Sequence, residues 1–354
     1  MRTIRHNDNG ALEASRHFDM TTYRHIVMSI IIAALLLAGC TGDDSPTLTD
    51  EQQGKEMRFD VKSAPFTRAT VINNTAGLRS ASAASADDDI DISATFHGTK
   101  KYLFTAPLHY ATDHWEFVDG SGNTAHYYWP IEGSTYQGVP YTSLDIMGFW
   151  PKVVAGYDIV RSAVLTDEQI TGIRLAFSNM PVTSAGQADI KECMCAYLSA
   201  QTYDDQVDAG EALPLEFKHT LALIKFTITA ASGTHVQVNS ISLADMKTGG
   251  TCTYDGTTMT WSGQSGSAAM TITPDTPLKY GTSSTETTPF LVIPNNYGSK
   301  TLTINATWDD WSNVTKNISS DISFDWEPGY IYTYNLTVTK YALKVDTGKY
   351  TEQW

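Results

Sequence analysis

The sequence predicts an all-β protein, two tandem antiparallel β-sandwich domains that follow a secretory signal. Three observations carry that expectation. Apolar residues recur at every second position through most of the chain, Gly, Asn, Asp and Pro clusters separate the runs, and helical periodicity is scarce. At 354 residues, and with roughly 100–200 residues per domain, two domains are expected.

Taken in order, Met57, Phe59 and Val61 alternate with Arg58, Asp60 and Lys62. Ala222, Ile224, Phe226 and Ile228 oppose Lys225, Thr227 and Thr229. Leu302, Ile304, Ala306 and Trp308 share one face, as do Tyr330, Tyr332, Tyr334, Leu336 and Val338. Each pattern fits a strand with one face in a core. Turn chemistry falls between them at Ser232-Gly233, Asp255-Gly256, Asn296 to Gly298 and Pro328-Gly329. Residues 166–169 (Thr-Asp-Glu-Gln) suit the cap of a single helical turn. Around residues 190–198 the spacing is ambiguous: Ile190, Met194, Tyr197 and Leu198 fit a helix, whereas Cys193, Cys195 and Tyr197 alternate. Residues 201–210 are acidic and polar with Pro214 just beyond, which sets the expected boundary between domains 57–210 and 211–354. Residues 81–89 read as a low-complexity loop and 263–288 as a hairpin with long loops. No solenoid-type repeat is present.

Charge narrows the function classes. The chain has 24 Lys+Arg against 39 Asp+Glu, a net −15. Nucleic-acid binding needs a basic surface to neutralise phosphates, so that class is disfavoured. Only 18% of residues are charged while 42% are hydrophobic, enough to build a core. Four cysteines do not make a disulfide framework in a chain this long.

The N-terminus is distinctive. Residues 26–38 form an apolar run broken only by Ser29, with Arg24 ahead of it. Thirteen residues are too few for a membrane span of about 20 and suit the apolar region of a signal peptide. The run ends Leu37-Ala38-Gly39-Cys40, which resembles the lipobox of bacterial lipoproteins, where the cysteine sulfur takes a diacylglycerol. Residues 1–39 are therefore expected to be a signal peptide, and a start at Met20 would leave 20–39. The remaining 315 residues carry 20 basic and 36 acidic side chains, net −16. Acyl chains on Cys40 contribute about 0.8 kcal/mol per buried CH₂ and would anchor the protein firmly to a membrane. Residues 40–56 read as a flexible tether, in which Asp43-Asp44 resembles the acidic export signal of Bacteroides-type surface lipoproteins.

Leu213-Pro-Leu-Glu-Phe-Lys-His219 and the following Thr220-Leu-Ala-Leu-Ile-Lys-Phe226 resemble the Leu-x-Phe-x-His…Ala-x-Val-x-Phe block of fimbrillins. Asp145-Ile-Met-Gly-Phe-Trp-Pro151, residues 189–197, Phe290-Leu-Val-Ile-Pro294 and residues 326–336 resemble further blocks of that family in the same order. The resemblance implies two transthyretin-like sandwiches and a structural subunit of a surface pilus, whether stalk, tip or anchor, serving cell adhesion. It implies partnership with other pilus subunits, in a homo- or heteropolymer, by strand exchange. In that family an Arg-specific protease removes the first strand of polymerising subunits, which places the candidate scissile bond at Arg68–Ala69. The candidate donor strand is the tail 340–354, with Tyr341, Leu343 and Val345 alternating and Trp354 at its end. The same tail is equally suited to completing its own domain.

No HExxH, P-loop, GxGxxG or GxSxG motif occurs, so no catalytic residue, cofactor or metal is expected. His219 lies on an apolar strand and reads as structural. Cys193, Cys195 and Cys252 lack zinc-site spacing and read as buried thiols, with one disulfide among them as the alternative. Trp308-Asp-Asp-Trp311 offers aromatic platforms and carboxylates, either for a glycan or, in the blander reading, with Trp308 in the core. The competing function is accordingly a monomeric surface lipoprotein that binds glycan through exposed aromatic residues; beyond other pilus subunits, the candidate partner is a host or bacterial surface glycan or protein.

Overall fold

The computed structural model describes residues 55–63, 89–111, 114–154, 156–188, 190–274, 284–308, 314–346 and 350–353. The signal, Cys40, nearly all of the tether, Arg68, Ala69, Asp309, Asp310, Trp311 and Trp354 lie outside them. Along the first half run β1 (Phe59–Ser63), β2 (Ile90–Phe96), β3 (Tyr102–Tyr110), β4 (Trp115–Val118), β5 (Thr124–Ala125), β6 (Thr135–Tyr136) and β7 (Val139–Pro140). Next come β8 (Leu144–Trp150), β9 (Asp158–Thr166), β10 (Gln169–Ser178), α1 (Ser184–Gln187), β11 (Met194–Gln201), α2 (Tyr203–Asp208) and β12 (Leu213–His219). The second half holds β13 (Ala222–Ala230), β14 (Val236–Met246), β15 (Gly249–Tyr254), β16 (Met259–Ser265), β17 (Ala268–Ile272) and β18 (Ser284–Glu286). It closes with β19 (Phe290–Val292), β20 (Asn295–Trp308), β21 (Val314–Trp326), β22 (Tyr330–Val338), β23 (Leu343–Val345) and β24 (Tyr350–Gln353). The chain is all-β, as its alternation predicts.

The alternating segments bury the faces expected of them. In β13, Ala222, Ile224, Phe226 and Ile228 enter a core shared with Ile304, Ala306 and Trp308 of β20 and with Tyr332, Tyr334 and Leu336 of β22. That core fills the space between the sheet β18-β13-β22-β23, which also holds β19 and β24, and the sheet β17-β14-β20-β21. An eight-stranded sheet, β1-β12-β11-β8-β2-β3-β4-β5, dominates the rest. One of its faces carries Phe59, Val61, Leu215, Phe217, Ile146 and Ile92 into a second core. Its other face packs Met147, Phe149, Cys195 and Tyr197 against the sheet β16-β15-β10-β9. Leu221, Leu223, Leu291, Ile293 and Ile331, from around the strands of the second half, join this third core.

Several expectations are corrected. Residues 166–169 form no helical turn. Asp167 and Glu168, with φ of 49° and 67°, make the two-residue turn between β9 and β10, because left-handed residues match the twist of a tight hairpin. The ambiguous segment is strand β11, whose residues Met194 to Tyr197 are buried on both faces. A hairpin was expected in 263–288, but β16 pairs with β15 and β17 with β14, so the chain changes sheet at Gly266. The polar stretch 201–210 holds α2, started by a capping box in which Thr202 and Asp205 bond each other's backbone. Among the described strands two pairings are parallel, β1 with β12 and β13 with β22, each joining segments far apart in sequence. Residue 210 sits in the turn between α2 and β12. Beyond it β12 enters the eight-stranded sheet, and β15 pairs with β10.

Candidate assembly site at the first strand

β1 lies at one edge of the eight-stranded sheet, so its only ladder among the described residues is with β12. The register runs from Phe59 opposite Leu213 to Ser63 opposite Phe217. Alternation decides which side chains go inward: Met57, Phe59 and Val61 are buried, while Arg58 and Lys62 face water. The sheet curls so far that β1 meets β4, its seventh strand. The Phe59 and Phe117 rings stand edge to face at 5.9 Å and 80°.

Just before β1 the backbone is tied on two sides. The Met57 N–H donates to the Tyr127 carbonyl at 2.8 Å, and the Trp129 N–H donates to the Lys55 carbonyl at 2.9 Å. From the other side comes the side chain of Gln206, on α2 and buried. Its Oε1 accepts from the Arg58 N–H at 3.0 Å and from the Trp129 indole at 2.9 Å, and its Nε2 donates to the Glu56 carbonyl at 2.9 Å. Glu56 itself contacts His126 at 2.5 Å and Arg58 at 2.9 Å. Partial burial opposes ionisation of its carboxyl, but the hydrogen bonds from His126 and Arg58 outweigh that and hold its pKa below the ordinary value. The Lys55 ammonium sits 3.7 Å over the Tyr203 ring of α2. Between β1 and the β3–β4–β5 end of the sheet remains a cavity of about 570 Å³ lined by Tyr110, Trp115, Phe117, His126 and Ala212. The first strand and the residues leading into it therefore rest on one ladder, the two backbone bonds to Tyr127 and Trp129, one side-chain clip and three buried apolar side chains.

The other candidate residues are placed as follows. Of the tail, β23 and β24 pair antiparallel with β22 in the chain's own sheet. Leu343 is buried there and Val345 half-buried, whereas Tyr341 sits in the preceding turn, 83% exposed. His219 bonds Glu192 at 2.6 Å with both side chains buried, a structural pair. Cys193, Cys195 and Cys252 are buried free thiols, and burial pushes that of Cys193 up to about 12. Trp308 is core. Among the described residues no group of three or more His, Cys, Asp or Glu is arranged to hold a metal, and no helix is long and apolar enough to cross a membrane. The sequence reading missed Gln206, Trp129 and the Glu56–His126 pair. The one signal available was the Thr202-x-x-Asp205 capping box, which announces the helix that carries Gln206.

Residues 67–354 match the family described as fimbrillin-like, well over half of the chain. The chain belongs to the fimbrillin-like family. As a fimbrillin-like protein it is a pilus-related structural protein and not an enzyme. Among solved structures it is similar to a fimbrial protein from Bacteroides vulgatus, at 15% identity and a TM-score of 0.56, over 85% of this chain and 100% of that one. A putative cell adhesion protein from Bacteroides uniformis aligns at 16% identity and a TM-score of 0.45, over 84% and 99%. The fimbrial anchor protein Mfa2 from Porphyromonas gingivalis aligns at 11% identity and a TM-score of 0.37, over 77% and 91%. At 15% identity the likeness to the Bacteroides vulgatus protein is one of fold. None of the curated proteins compared matches the chain.

Proposed function

We propose that this protein is a structural subunit of a cell-surface fimbria, joined to its neighbours by exchange of the strand that completes the β12 edge. In this reading residues 1–39 are a signal peptide, lipid on Cys40 holds the precursor to the outer membrane, and 40–56 are its tether. Residues 57–210 and 211–354 make the two sandwiches, with β12, β15 and β16 lent to the first. One observation carries the reading: β1 is a parallel edge strand whose Met57, Phe59 and Val61 are buried at two-residue spacing. Removing it would bare the β12 ladder and three apolar sites together. Strand addition to such an edge draws affinity from main-chain bonds and specificity from alternate side chains. Cleavage at Arg68–Ala69, beyond the end of β1, would separate the strand from the chain covalently. Tyr341, Leu343 and Val345 of a neighbour's tail repeat the apolar spacing of β1. Leu343 would first have to leave its own core.

Treating the folded protein with an Arg-specific protease tests this. The expected result is cleavage after Arg68, followed by a ladder of oligomers on a denaturing gel. A protein that is cut and stays monomeric, or that resists cutting and binds glycan as a monomer, would overturn it.

A further inference from the structure

Gln206 does more than fill space beside the first strand. It is a buried amide, 2% exposed, and burying such a group is costly unless its polar atoms are paired. Its side chain bonds the main chain of residues 56–58 and the Trp129 indole. Those main-chain bonds have a particular place in the ladder. The Leu213 N–H donates to the Arg58 carbonyl at 2.9 Å, the first parallel rung supplied by the backbone of β12. In a parallel pair the next rungs would be a carbonyl accepting from the Arg58 N–H and an N–H donating to the Glu56 carbonyl. The backbone two residues before Leu213 would have to supply both. It cannot, because Gly210 and Glu211 turn left-handed, at φ of 83° and 75°, as the chain leaves α2. The Gln206 carbonyl oxygen and amide nitrogen stand in that place instead.

We infer that Gln206 is a positioning residue of the strand-accepting edge, a side-chain surrogate for the missing backbone rungs of β12. The Trp129 indole fixes the orientation of its amide by donating to the same oxygen. Because the surrogate reads only an N–H and a carbonyl, it is blind to side chains. It serves β1 and any other extended segment laid on β12, including the tail of a second copy of this chain. That last clause rests on the strand-exchange reading; the assignment of the rungs does not.

The test uses the intact chain first. Amide hydrogen exchange at Arg58 is compared with that at Asp60 and Lys62, whose N–H groups face β12 in this register, in the wild type and in Gln206→Leu. One neutral hydrogen bond is worth about 0.5–1.5 kcal/mol, so exchange at Arg58 should rise roughly 2- to 12-fold while the other two stay within about twofold. General loosening would raise all three together, and that result, or no change at all, overturns the inference. If Gln206→Leu fails to fold, Gln206→Asn replaces it. Its amide is one methylene short of the rung, so the same selective rise at Arg58 is expected. In a second step the chain is severed within residues 64–88 and offered a labelled peptide of residues 55–63. A matched peptide carries an ester in place of the Met57–Arg58 amide and so lacks the Arg58 N–H. The ester should weaken binding to the wild type and cost little further in Gln206→Leu. Equal losses in both proteins would overturn the inference. If Arg58 responds in the intact chain but no peptide enters the severed wild type, strand exchange fails while the surrogate rung stands.

Discussion

Phe59→Ala should loosen the first strand far more than any change at its exposed positions. Phe59 is 5% exposed and packs edge to face on Phe117 across the curled sheet. Truncating a buried phenylalanine to alanine costs about 3–5 kcal/mol, the transfer of the ring plus the cavity it leaves. The aromatic pair is part of that figure. In the intact chain the loss appears as lowered stability. In a chain severed within residues 64–88 it appears as weaker retention of the N-terminal fragment. At 1.4 kcal/mol per tenfold, about 3–5 kcal/mol corresponds to a loss of roughly two to three and a half orders of magnitude. Lys62→Ala is the control. Its side chain is 56% exposed, and its 3.0 Å contact with Asp60 is a surface pair worth at most about 1 kcal/mol. The assay severs each variant at an introduced protease site and follows loss of the fragment by gel filtration and mass spectrometry. If Phe59→Ala keeps its fragment to within about threefold of the wild type, or Lys62→Ala loses it equally, burial of Phe59 does not hold the strand.

Four further outcomes are expected. Glu56 has a lowered pKa in the folded state, so its contribution is present above the ordinary value of 4.5 and is lost as pH falls below it. The severed fragment should therefore leave faster in acid, and Glu56→Gln should flatten that pH dependence; a variant as pH-sensitive as the wild type would remove Glu56 from the account. Gly148 lies in β8 beneath Phe217, and a Cβ there would come 2.7 Å from the ring. Gly148→Ala should cost about 1–3 kcal/mol by overpacking, and an unchanged thermal midpoint would show that the ring yields freely. In the tail, Leu343→Ala should cost about 2–5 kcal/mol in denaturant unfolding and Tyr341→Ala under about 0.5, and the reverse order would refute the pairing of β23. Burial raises the thiols of Cys193, Cys195 and Cys252, so they should resist a thiol reagent near pH 8 in a form beginning at residue 41 and react once denatured. Rapid labelling of the native protein would contradict their burial.

How far the fold was legible follows from how many faces each strand buries. β1, β13, β20 and β22 could be read because one face meets a core and the other is polar or half-exposed, which leaves a period of two in the sequence. β11 could not, since Met194 and Ala196 enter one core while Cys195 and Tyr197 enter another. With both faces apolar the period vanishes, and the same residues also satisfy helical spacing. The turn at Asp167-Glu168 was obscured because Glu168 is of a type uncommon at positive φ, and acidic residues after a threonine resemble a helix start. Which strand neighbours which is a non-local property, so neither parallel pairing left a local trace. Gln206 is the extreme case: two of its partners lie 148 and 150 residues away, and no pattern within a few residues of it could reveal them.

The hold on the first strand divides into two parts with different consequences. The β12 ladder and the Gln206 amide bind main chain and would accept any extended segment. Met57, Phe59 and Val61 fill apolar sites and discriminate by size and shape. A register shift of one residue would turn charged side chains inward and is strongly opposed, whereas a shift of two keeps the alternation and must be resisted by fit alone. For the tail segment, that fit sets the bulk of Tyr341 against the site of Met57, with Leu343 and Val345 following at the sites of Phe59 and Val61. Exchange between copies would then be governed less by the edge, which is common to every occupant, than by how well three side chains replace three others. Mutations at those positions should accordingly change which strand wins, while mutations at Gln206 should weaken all strands alike.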